Sequence, residues 1–263
     1  MRLTVLGKSP SWQDAGGACS SYLLEDGHTS VLIDCGNGAF AKLRHHRDYC
    51  AVDAVLVSHL HADHFLDLVP YAYALTFAPQ QQPVPIHRWP GRPEPARPRL
   101  IAPRGADAVF RRVTGAWGSE TLIQDAFSLE EYEPDASPEV GGVSFSFQAV
   151  PHFTETFAVA AESGDGTRFV FGADTGPSED LVRFARGADL LLVEGTLPRP
   201  ERTGERGHLT PREAGQHAAR AGARQVVLTH VSDEIDALWV GAEGAAGFGG
   251  PVKVAREGAV YST

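Results

Sequence analysis

The 263-residue sequence has no apolar run long enough to span a bilayer, since its longest runs, such as 188–193, have the length of a strand. Cysteine is scarce, and Cys19, Cys35 and Cys50 are an odd number without metal-type spacing. The first residues, MRLTVLG, lack the charged and apolar segments of a secretory signal and are typical of a first strand. We therefore expect a reduced, cytoplasmic protein without a membrane span, a disulfide framework or a cysteine metal ligand.

Positive charge is also in deficit. The chain has 23 Lys and Arg residues against 33 Asp and Glu residues, which gives a net charge of −10. Because proteins that grip nucleic acid usually present a basic face, this balance argues against a general polyanion-binding surface, although it allows a local basic patch. With 43% hydrophobic and 21% charged residues, the composition is that of an ordinary soluble globular protein.

Short apolar runs alternate with helix-like segments along most of the chain, and this rhythm predicts a layered α/β protein. Because no linker separates the two halves, we treat residues 1–263 as one domain. The predicted strands are 3–6, 21–24, 30–33, 54–57, 143–150, 156–161, 169–171, 190–193 and 226–229. The predicted helices are 39–46, 65–77, 179–186, 211–221 and 233–241. Thr210, Pro211 and Glu213 are start signals for the fourth helix.

Residues 79–99 are rich in proline and arginine, and no packed element is predicted for them. We interpret the segment as an extended, partly mobile loop within the domain. Its arginines are Arg88, Arg92, Arg97 and Arg99. Two interpretations stay open: the arginines lie over the site and meet an anionic substrate, or they belong to a solvated surface insertion, which is the more frequent case.

The densest group of chemically active residues follows the apolar run 52–57. The segment SHLHADH, residues 58–64, places His59, His61, Asp63 and His64 within six residues. Neutral imidazole suits zinc and iron, and a carboxylate beside it can help to hold a second cation. Because such a string rarely occurs by chance, we predict a metal site here rather than a solvated turn between a strand and a helix.

Further ligands come just after predicted strands, namely His152, Asp174 and His230. Ligand sites of α/β sheets gather at the carboxyl ends of the strands, so these side chains are expected at one edge of the sheet. A lone histidine in such a place is more often structural. Three such residues beside a histidine cluster favour a shared site instead.

These ligands suffice for two metals. The predicted sets are His59, His61 and His152 for one cation, and Asp63, His64 and His230 for the other, with Asp174 bridging them. Open coordination positions would remain for water, as a catalytic site requires. Two divalent cations about 3.5–4 Å apart can activate a water and clamp the attacking and leaving oxygens of a displacement. Zinc is the usual ion for such ligands, and manganese or iron can bind the same set.

The ligand motif resembles that of the metallo-β-lactamase superfamily. HLHADH at 59–64, together with His152, Asp174 and His230, carries the resemblance, and LIDCG at 32–36 extends it toward the N-terminus. The resemblance implies a four-layered αβ/βα sandwich over nearly the whole chain. It also implies that Asp34 supports the metal ligands without binding metal itself.

Two further segments resemble the phosphodiesterase branch of that superfamily, which contains tRNase Z and its relatives. EGT at 194–196 is similar to the glutamate motif of the branch, and GHLTPREAG at 207–215 to the segment with its additional histidine. The resemblance implies that His208, oriented by Glu194, contacts the scissile phosphate and stabilises or protonates the leaving oxygen. The alternative is that His208 merely precedes a helix cap. Asp63, a ligand with a spare oxygen, would manage the proton of the attacking water.

Within this branch two kinds of substrate compete. Relatives of the tRNase Z type carry a long arm for the tRNA elbow, whereas residues 153–173 leave room only for a hairpin that turns at 163–166. The segments 152–157 and 207–235 resemble the arm-less atypical bacterial cyclic-nucleotide phosphodiesterases. We therefore expect a small-molecule phosphodiesterase of the cyclic AMP type. A tRNase Z-like 3′-tRNA endoribonuclease stays the alternative.

Two interpretations from other classes stay open as well. The first is a metal-holding protein without turnover, against which the complete ligand set argues. The second is a hydrolase of carbon–oxygen esters, against which Glu194 and His208 argue. The family resemblance also suggests a homodimer.

Overall fold

The computed structural model describes residues 1–83, 87 and 91–263. Its strands are β1 (Arg2–Gly7), β2 (Ser21–Asp26), β3 (Thr29–Ile33), β4 (Ala54–Leu56), β5 (Arg99–Pro103), β6 (Ser128–Tyr132), β7 (Glu139–Val140), β8 (Val143–Val150), β9 (Thr156–Glu162), β10 (Arg168–Phe171), β11 (Leu190–Glu194), β12 (Gln225–Thr229), β13 (Lys253–Val254) and β14 (Val260–Ser262). Its α-helices are α1 (Ala39–His46), α2 (Ala62–Phe65), α3 (Leu68–Phe77), α4 (Ala106–Gly115), α5 (Leu122–Ala126), α6 (Glu179–Phe184), α7 (Pro211–Ala221) and α8 (Ala237–Phe248). Short 3₁₀ turns lie at Tyr49–Ala51 and Pro79–Gln81.

In the described part of the chain the strands form two seven-stranded sheets. The first has the order β14-β1-β2-β3-β4-β5-β6, and the second the order β13-β12-β11-β10-β9-β8-β7. In the first sheet the antiparallel strands β14, β1, β2 and β3 continue into the parallel strands β4, β5 and β6. In the second sheet the antiparallel strands β7 to β10 continue into the parallel strands β11, β12 and β13. Each sheet thus has a parallel half, whose strand ends are the usual place for a ligand site.

Buried apolar side chains form three clusters between these elements. One buried cluster, which includes Tyr22 and Phe145, lies between the two sheets. A second cluster, with Leu43 and Phe110, packs α1, α3, α4 and α5 on the first sheet. A third, with Leu181, packs α6, α7 and α8 on the second sheet. Because each sheet is apolar on both faces, both faces must be covered, and the predicted four-layered αβ/βα sandwich is confirmed.

Several predicted elements have the bounds that the structure gives them, namely α1, α7 and β8. Helix α7 begins with a capping box, in which Oγ1 of Thr210 accepts from the backbone N–H of Glu213 and the Glu213 carboxylate accepts from that of Thr210. The two groups satisfy backbone donors that a helix start otherwise leaves unpaired.

Three predicted helices are wrong in their bounds. The helix predicted over 179–186 ends at Phe184, because the N–H of Arg186 bonds to the carbonyl of Arg183, three residues back, instead of continuing the helix. The helix predicted over 65–77 is interrupted at Asp67. The backbone N–H of Asp67 donates to the carbonyl of Cys35, and its side-chain carboxylate accepts the N–H of Phe40, so this residue bonds outside the helix. The helix predicted over 233–241 starts at Ala237 instead, because the Asp236 side chain caps it by accepting from the N–H of Leu238.

The prediction that residues 79–99 contain no packed element is wrong at both ends. Residues 79–81 form a 3₁₀ turn, and β5 begins at Arg99. Gln81 is buried, and its amide donates to the carbonyls of Leu75 and Ala96. The turn is therefore fixed by tertiary hydrogen bonds that the local sequence does not reveal.

The arginines of this segment contact other parts of the surface. Arg92 pairs with Asp48, Arg97 donates to the carbonyls of Gln124 and Phe127, and Arg99 pairs with Glu130. The fourth, Arg88, lies outside the described residues. These contacts support a surface insertion for the three described arginines rather than a set of side chains over the site.

The two sheets meet through backbone contacts close to the histidine segment. His59, which follows β4, forms an isolated bridge with Thr156 at the start of β9, and the N–H of Phe157 donates to the carbonyl of Ser58. The three cysteines are buried and free. None of the helices in the described ranges combines the length and the apolar character that crossing a membrane requires.

Candidate metal centre

The structure brings all seven predicted metal ligands together where the strands end. They form two adjoining groups: His59, His61 and His152 in one, and Asp63, His64, Asp174 and His230 in the other. Within each group the candidate ligand atoms all lie within 4.8 Å of one another. Residues more than 160 positions apart in the chain therefore share one buried space, as the strand-end argument predicts.

The first group presents three imidazole nitrogens to one another. Nδ1 of His61 lies 3.2 Å from Nε2 of His59 and 3.0 Å from Nε2 of His152. Burial lowers the pKa of all three imidazoles, so they stay neutral and keep a lone pair at neutral pH. Three neutral imidazoles with converging nitrogens are a typical ligand set for zinc.

The second group surrounds the carboxylate of Asp174. Its Oδ2 lies 3.4 Å from Nε2 of His64 and 3.3 Å from Nε2 of His230. The same oxygen lies 4.0 Å from Nε2 of His59 and 3.9 Å from Nε2 of His152, in the first group. Asp174 is therefore placed between the two groups, where a bridging ligand would lie.

Asp63 completes the second group. Its Oδ2 lies 3.4 Å from Nε2 of both His64 and His230. Burial raises the pKa of the Asp63 carboxyl, but its hydrogen bonds to His230 and His64 outweigh burial and hold the pKa below its usual range. The carboxylate is consequently available as an anionic ligand.

The other ring nitrogens of these histidines are tied to the protein. Nδ1 of His59 donates to Oγ of Ser58, and Nδ1 of His152 donates to the carbonyl of Gly207 at 2.7 Å. Nδ1 of His64 donates to Oδ2 of Asp34, also at 2.7 Å. Nδ1 of His230 donates to Oγ1 of Thr196 at 2.8 Å. In the neutral form of each ring, these bonds select the tautomer whose Nε2 is an acceptor directed into the shared space, which is the usual support for metal-binding histidines.

The chemistry of His64 tests whether a cation fits. Its Nε2 is buried without a hydrogen-bond partner among the described residues, although two carboxylates lie beside it. Burial lowers the pKa of His64, but the charges of Asp174 and Asp34 outweigh burial and hold it well above its ordinary value. The space therefore attracts positive charge, and its nitrogen and oxygen donors fit zinc, manganese or iron(II).

The backbone is strained around this cluster. Asp34, Ala173 and His230 are the non-glycine residues of the described ranges with positive φ, at 57°, 53° and 57°. Such conformations cost about 1–3 kcal/mol each and persist only where the surroundings determine them. Asp34 supports His64, and Ala173 precedes Asp174, so the strained positions all lie at or next to the candidate ligands. Asp34 itself accepts the N–H and the hydroxyl of Ser58.

The two further residues predicted for catalysis lie beside the ligands. Nδ1 of His208 donates to Oε1 of Glu194 at 3.0 Å. The His208 ring lies 4.9 Å from that of His152 and 5.6 Å from that of His230, between centroids. Burial lowers the pKa of His208, but the hydrogen bond and charge of Glu194 outweigh it and raise the pKa to about 9. At neutral pH His208 is therefore a proton donor next to both ligand groups.

Glu194 is fully buried, and each of its carboxylate oxygens accepts two hydrogen bonds. Its Oε1 also accepts the N–H of Thr175 at 2.6 Å, and its Oε2 accepts the N–H of Leu209 and the hydroxyl of Thr196. Because Thr196 also accepts from His230, one carboxylate orients both His208 and a candidate metal ligand.

A clamp formed by Arg206, Glu201 and Glu213 holds the backbone before His208. The Arg206 guanidinium donates to both carboxylate oxygens of Glu213, at 2.7 and 2.9 Å, and to Glu201. Glu201 also accepts the N–H of Gly207, whose carbonyl orients His152. A two-point contact between a guanidinium and a carboxylate is geometrically restrictive, so the clamp fixes the position of this carbonyl.

Sequence reasoning did not assign roles to Thr196, Gly207 or the Arg206 clamp. Thr196 had a local signal, since it stands within the EGT segment. The role of Gly207 could not be predicted, because it depends on a backbone carbonyl, which every residue has. The partners of Arg206 become apparent only in the folded chain, where the loop 197–207 lies against α7. Supporting contacts of this kind depend on tertiary structure.

Comparison with known proteins bears on this centre. Residues 29–231 match the family model described as "Beta-lactamase superfamily domain". An uncharacterized protein of Mycobacterium tuberculosis, Rv1339, is 33% identical over 258 residues, which cover 96% of this chain and 88% of the relative. The probable metallo-hydrolase YhfI of Bacillus subtilis is 29% identical, with 99% of both chains covered. A ribonuclease Z of Halorubrum lacusprofundi is 28% identical, with 88% of this chain and 86% of the relative covered.

Solved structures resemble the fold over the same extent. The structure of B. subtilis YhfI aligns with a TM-score of 0.83 at 25% identity, covering 99% of this chain and 98% of YhfI. The human short-form tRNase Z aligns with a TM-score of 0.74 at 20% identity, covering 100% and 99% of the two chains, a level that concerns the fold alone. Among these sequence relatives, the two with a functional name are thus a probable metallo-hydrolase and a ribonuclease Z.

Proposed function

The chain belongs to the β-lactamase superfamily, as a metallo-hydrolase related to ribonuclease Z, and we propose that it cleaves the phosphodiester of a 3′,5′-cyclic nucleotide at a pair of divalent cations. The observation that carries the proposal is the hydrogen bond between Glu194 and His208 beside the seven candidate ligands. A proton donor at this place suits the departure of an alkoxide from phosphorus, which needs a proton or a positive charge.

The candidate ligands would hold two cations, one by His59, His61 and His152 and one by Asp63, His64 and His230, with Asp174 shared. Bound divalent cations polarise phosphoryl oxygens and lower the pKa of water. The protein supplies the remaining groups. Asp63 accepts the proton of the attacking water on its spare oxygen, and His208 donates a proton to the leaving sugar oxygen. Glu194 keeps the His208 ring oriented and protonated.

The choice of a small substrate is supported by the hairpin between His152 and Asp174. Strands β9 and β10 pair directly. The turn between them is short, and in it the N–H of Gly166 donates to the carbonyl of Ser163. This segment offers no protruding arm, and the net charge of −10 disfavours a large polyanion. The second candidate, 3′-tRNA endonuclease activity, is favoured by the relative named ribonuclease Z.

A hydrolysis panel separates these functions. Purified protein of known metal content would be incubated with cyclic AMP, cyclic GMP, a linear dinucleotide and a precursor tRNA. The proposal expects turnover of a cyclic nucleotide and little cleavage of the tRNA. Cleavage of the tRNA alone would replace the proposal by the second candidate.

The same preparation tests the carbon-ester alternative. A thioester and a generic phosphodiester would be compared on the wild type and on a Glu194→Gln variant. The proposal expects the phosphodiester to be the better substrate and its hydrolysis to depend on Glu194. Faster hydrolysis of the thioester, unaffected by the variant, would contradict it. Two bound metals without hydrolysis of any ester would point to a metal-holding protein.

A further inference from the structure

An exposed aromatic ring stands at the rim of the candidate metal centre. Phe153 directly follows His152 and is 57% exposed, whereas most phenylalanines of the described chain, such as Phe157 and Phe171, are buried. Its ring centroid lies 5.0 Å from that of His152 and 5.8 Å from that of His208. The ring therefore touches both a candidate ligand and the candidate proton donor while leaving much of its surface open.

One side of the Phe153 ring packs against the backbone of Gly207. A Cβ added to Gly207 would come within 2.4 Å of the Phe153 ring, so the ring packs directly on the glycine backbone. Gly207 is itself held by Glu201 and bonded to His152 through its carbonyl. The side chain thus has a fixed backing, which lowers the entropy that ordering it on a ligand would cost.

We propose that Phe153 is the platform on which the base of the substrate nucleotide stacks. This inference rests on the proposed function, because it takes the His208 side of the centre as the side of the leaving sugar oxygen. In a cyclic nucleotide one ribose ring separates the phosphorus from the base, and the exposed Phe153 ring lies 5.8 Å from the His208 ring, between centroids. An aromatic face offers every base a stacking partner without selecting its hydrogen-bonding edge. The platform therefore provides affinity for nucleotides over base-free phosphates and little discrimination between adenine and guanine.

Binding of a matched pair of ligands tests the platform without relying on turnover. The ligands are 5′-AMP, the product expected from cyclic AMP, and ribose 5-phosphate, which lacks the base. Calorimetry on the metal-loaded wild type is expected to show tighter binding of 5′-AMP by about fivefold or more, the low end of base–aromatic stacking. In Phe153→Leu this advantage should disappear, while the affinity for ribose 5-phosphate stays unchanged. Phe153→Trp should restore it.

Phe77→Leu is the matched control, because Phe77 is exposed on α3 and does not contact the ligand cluster in the described structure. It should retain the preference for 5′-AMP. Equal affinities of the wild type for both ligands, or an equal loss for both in Phe153→Leu, would overturn the inference. If the base-dependent affinity is present but no cyclic nucleotide is hydrolysed, the proposed function fails and the platform stands.

Discussion

Oε1 of Glu194 accepts the Nδ1–H of His208 at 3.0 Å, while Oε2 of the same carboxylate accepts the hydroxyl that orients His230. One buried side chain thereby couples the candidate proton donor to a candidate metal ligand. Substitutions at His208 and at Asp174 address two properties individually: the departure of the leaving group and the binding of cations.

His208→Ala should retain both metals and lose at least about tenfold in kcat on a phosphodiester, the low end of general-acid effects. The reason is that the variant removes the proton donor but none of the seven candidate ligands. Elemental analysis and steady-state kinetics on one preparation provide the measurement. A variant with full kcat and full metal content would exclude this role for His208.

Asp174→Ala should lower the metal content of the protein, since this carboxylate lies between both ligand groups. Metal per chain after dialysis against a defined zinc concentration is the readout. Asp165→Ala is the control, because Asp165 belongs to the β9–β10 turn and bonds only to Ser163 and Thr167 in the described structure. The assigned bridge is wrong if the two variants hold as much metal as the wild type.

Arg206→Ala should reduce kcat or metal affinity by about tenfold or more, as is common when the partners of metal ligands are removed. Without the guanidinium, the segment that positions the Gly207 carbonyl against His152 loses its anchor. Arg206→Lys should recover only part of the loss, because an ammonium cannot form the two-point contact. Arg212→Ala, which breaks an exposed pair with Glu243, should leave both quantities unchanged. An equal loss in the two alanine variants would point to a general effect on stability.

The pH dependence of stability should reflect His217. Nε2 of this buried side chain accepts the N–H of Ser178, Nδ1 donates to the carbonyl of Glu213, and burial lowers its pKa below the ordinary value of 6.5. Below pH 6.5 the unfolded chain binds a proton that the folded protein does not, so the free energy of unfolding falls as the pH decreases. The contribution is fully present above that pH.

Denaturant unfolding between pH 7.5 and pH 5 of the wild type, His217→Gln and His28→Gln gives the comparison. His217→Gln should flatten the decline, whereas His28→Gln should not, because His28 is exposed on the β2–β3 turn. Parallel profiles for all three proteins would exclude His217 as a source of the acid sensitivity.

The convergence of the candidate ligands could be predicted from the sequence because their signals are local. His152, Asp174 and His230 each follow an apolar run, and parallel strands end at a shared edge. The same logic placed β8, α1 and α7 with their observed bounds. Local periodicity and caps suffice for these elements, whereas the helices predicted over 65–77 and 233–241 have other bounds in the structure.

The remainder depends on contacts between distant segments. The break before α3 arises from Asp67, which bonds to Cys35 and Phe40, and the 3₁₀ turn at Gln81 from bonds to Leu75 and Ala96. The elements between Arg99 and Tyr132 were not predicted at all, since their apolar runs are short and interrupted by charge. Likewise the Arg206 clamp and the Phe153 platform acquire meaning only from what lies next to them in space.

The measurement that tests the central idea most directly is an anomalous-difference map from crystals of the protein grown with zinc. Two peaks per chain are expected, one among His59, His61 and His152 and one among Asp63, His64 and His230, with Asp174 touching both. A single peak, peaks away from these side chains, or none at saturating zinc would contradict a two-metal hydrolase.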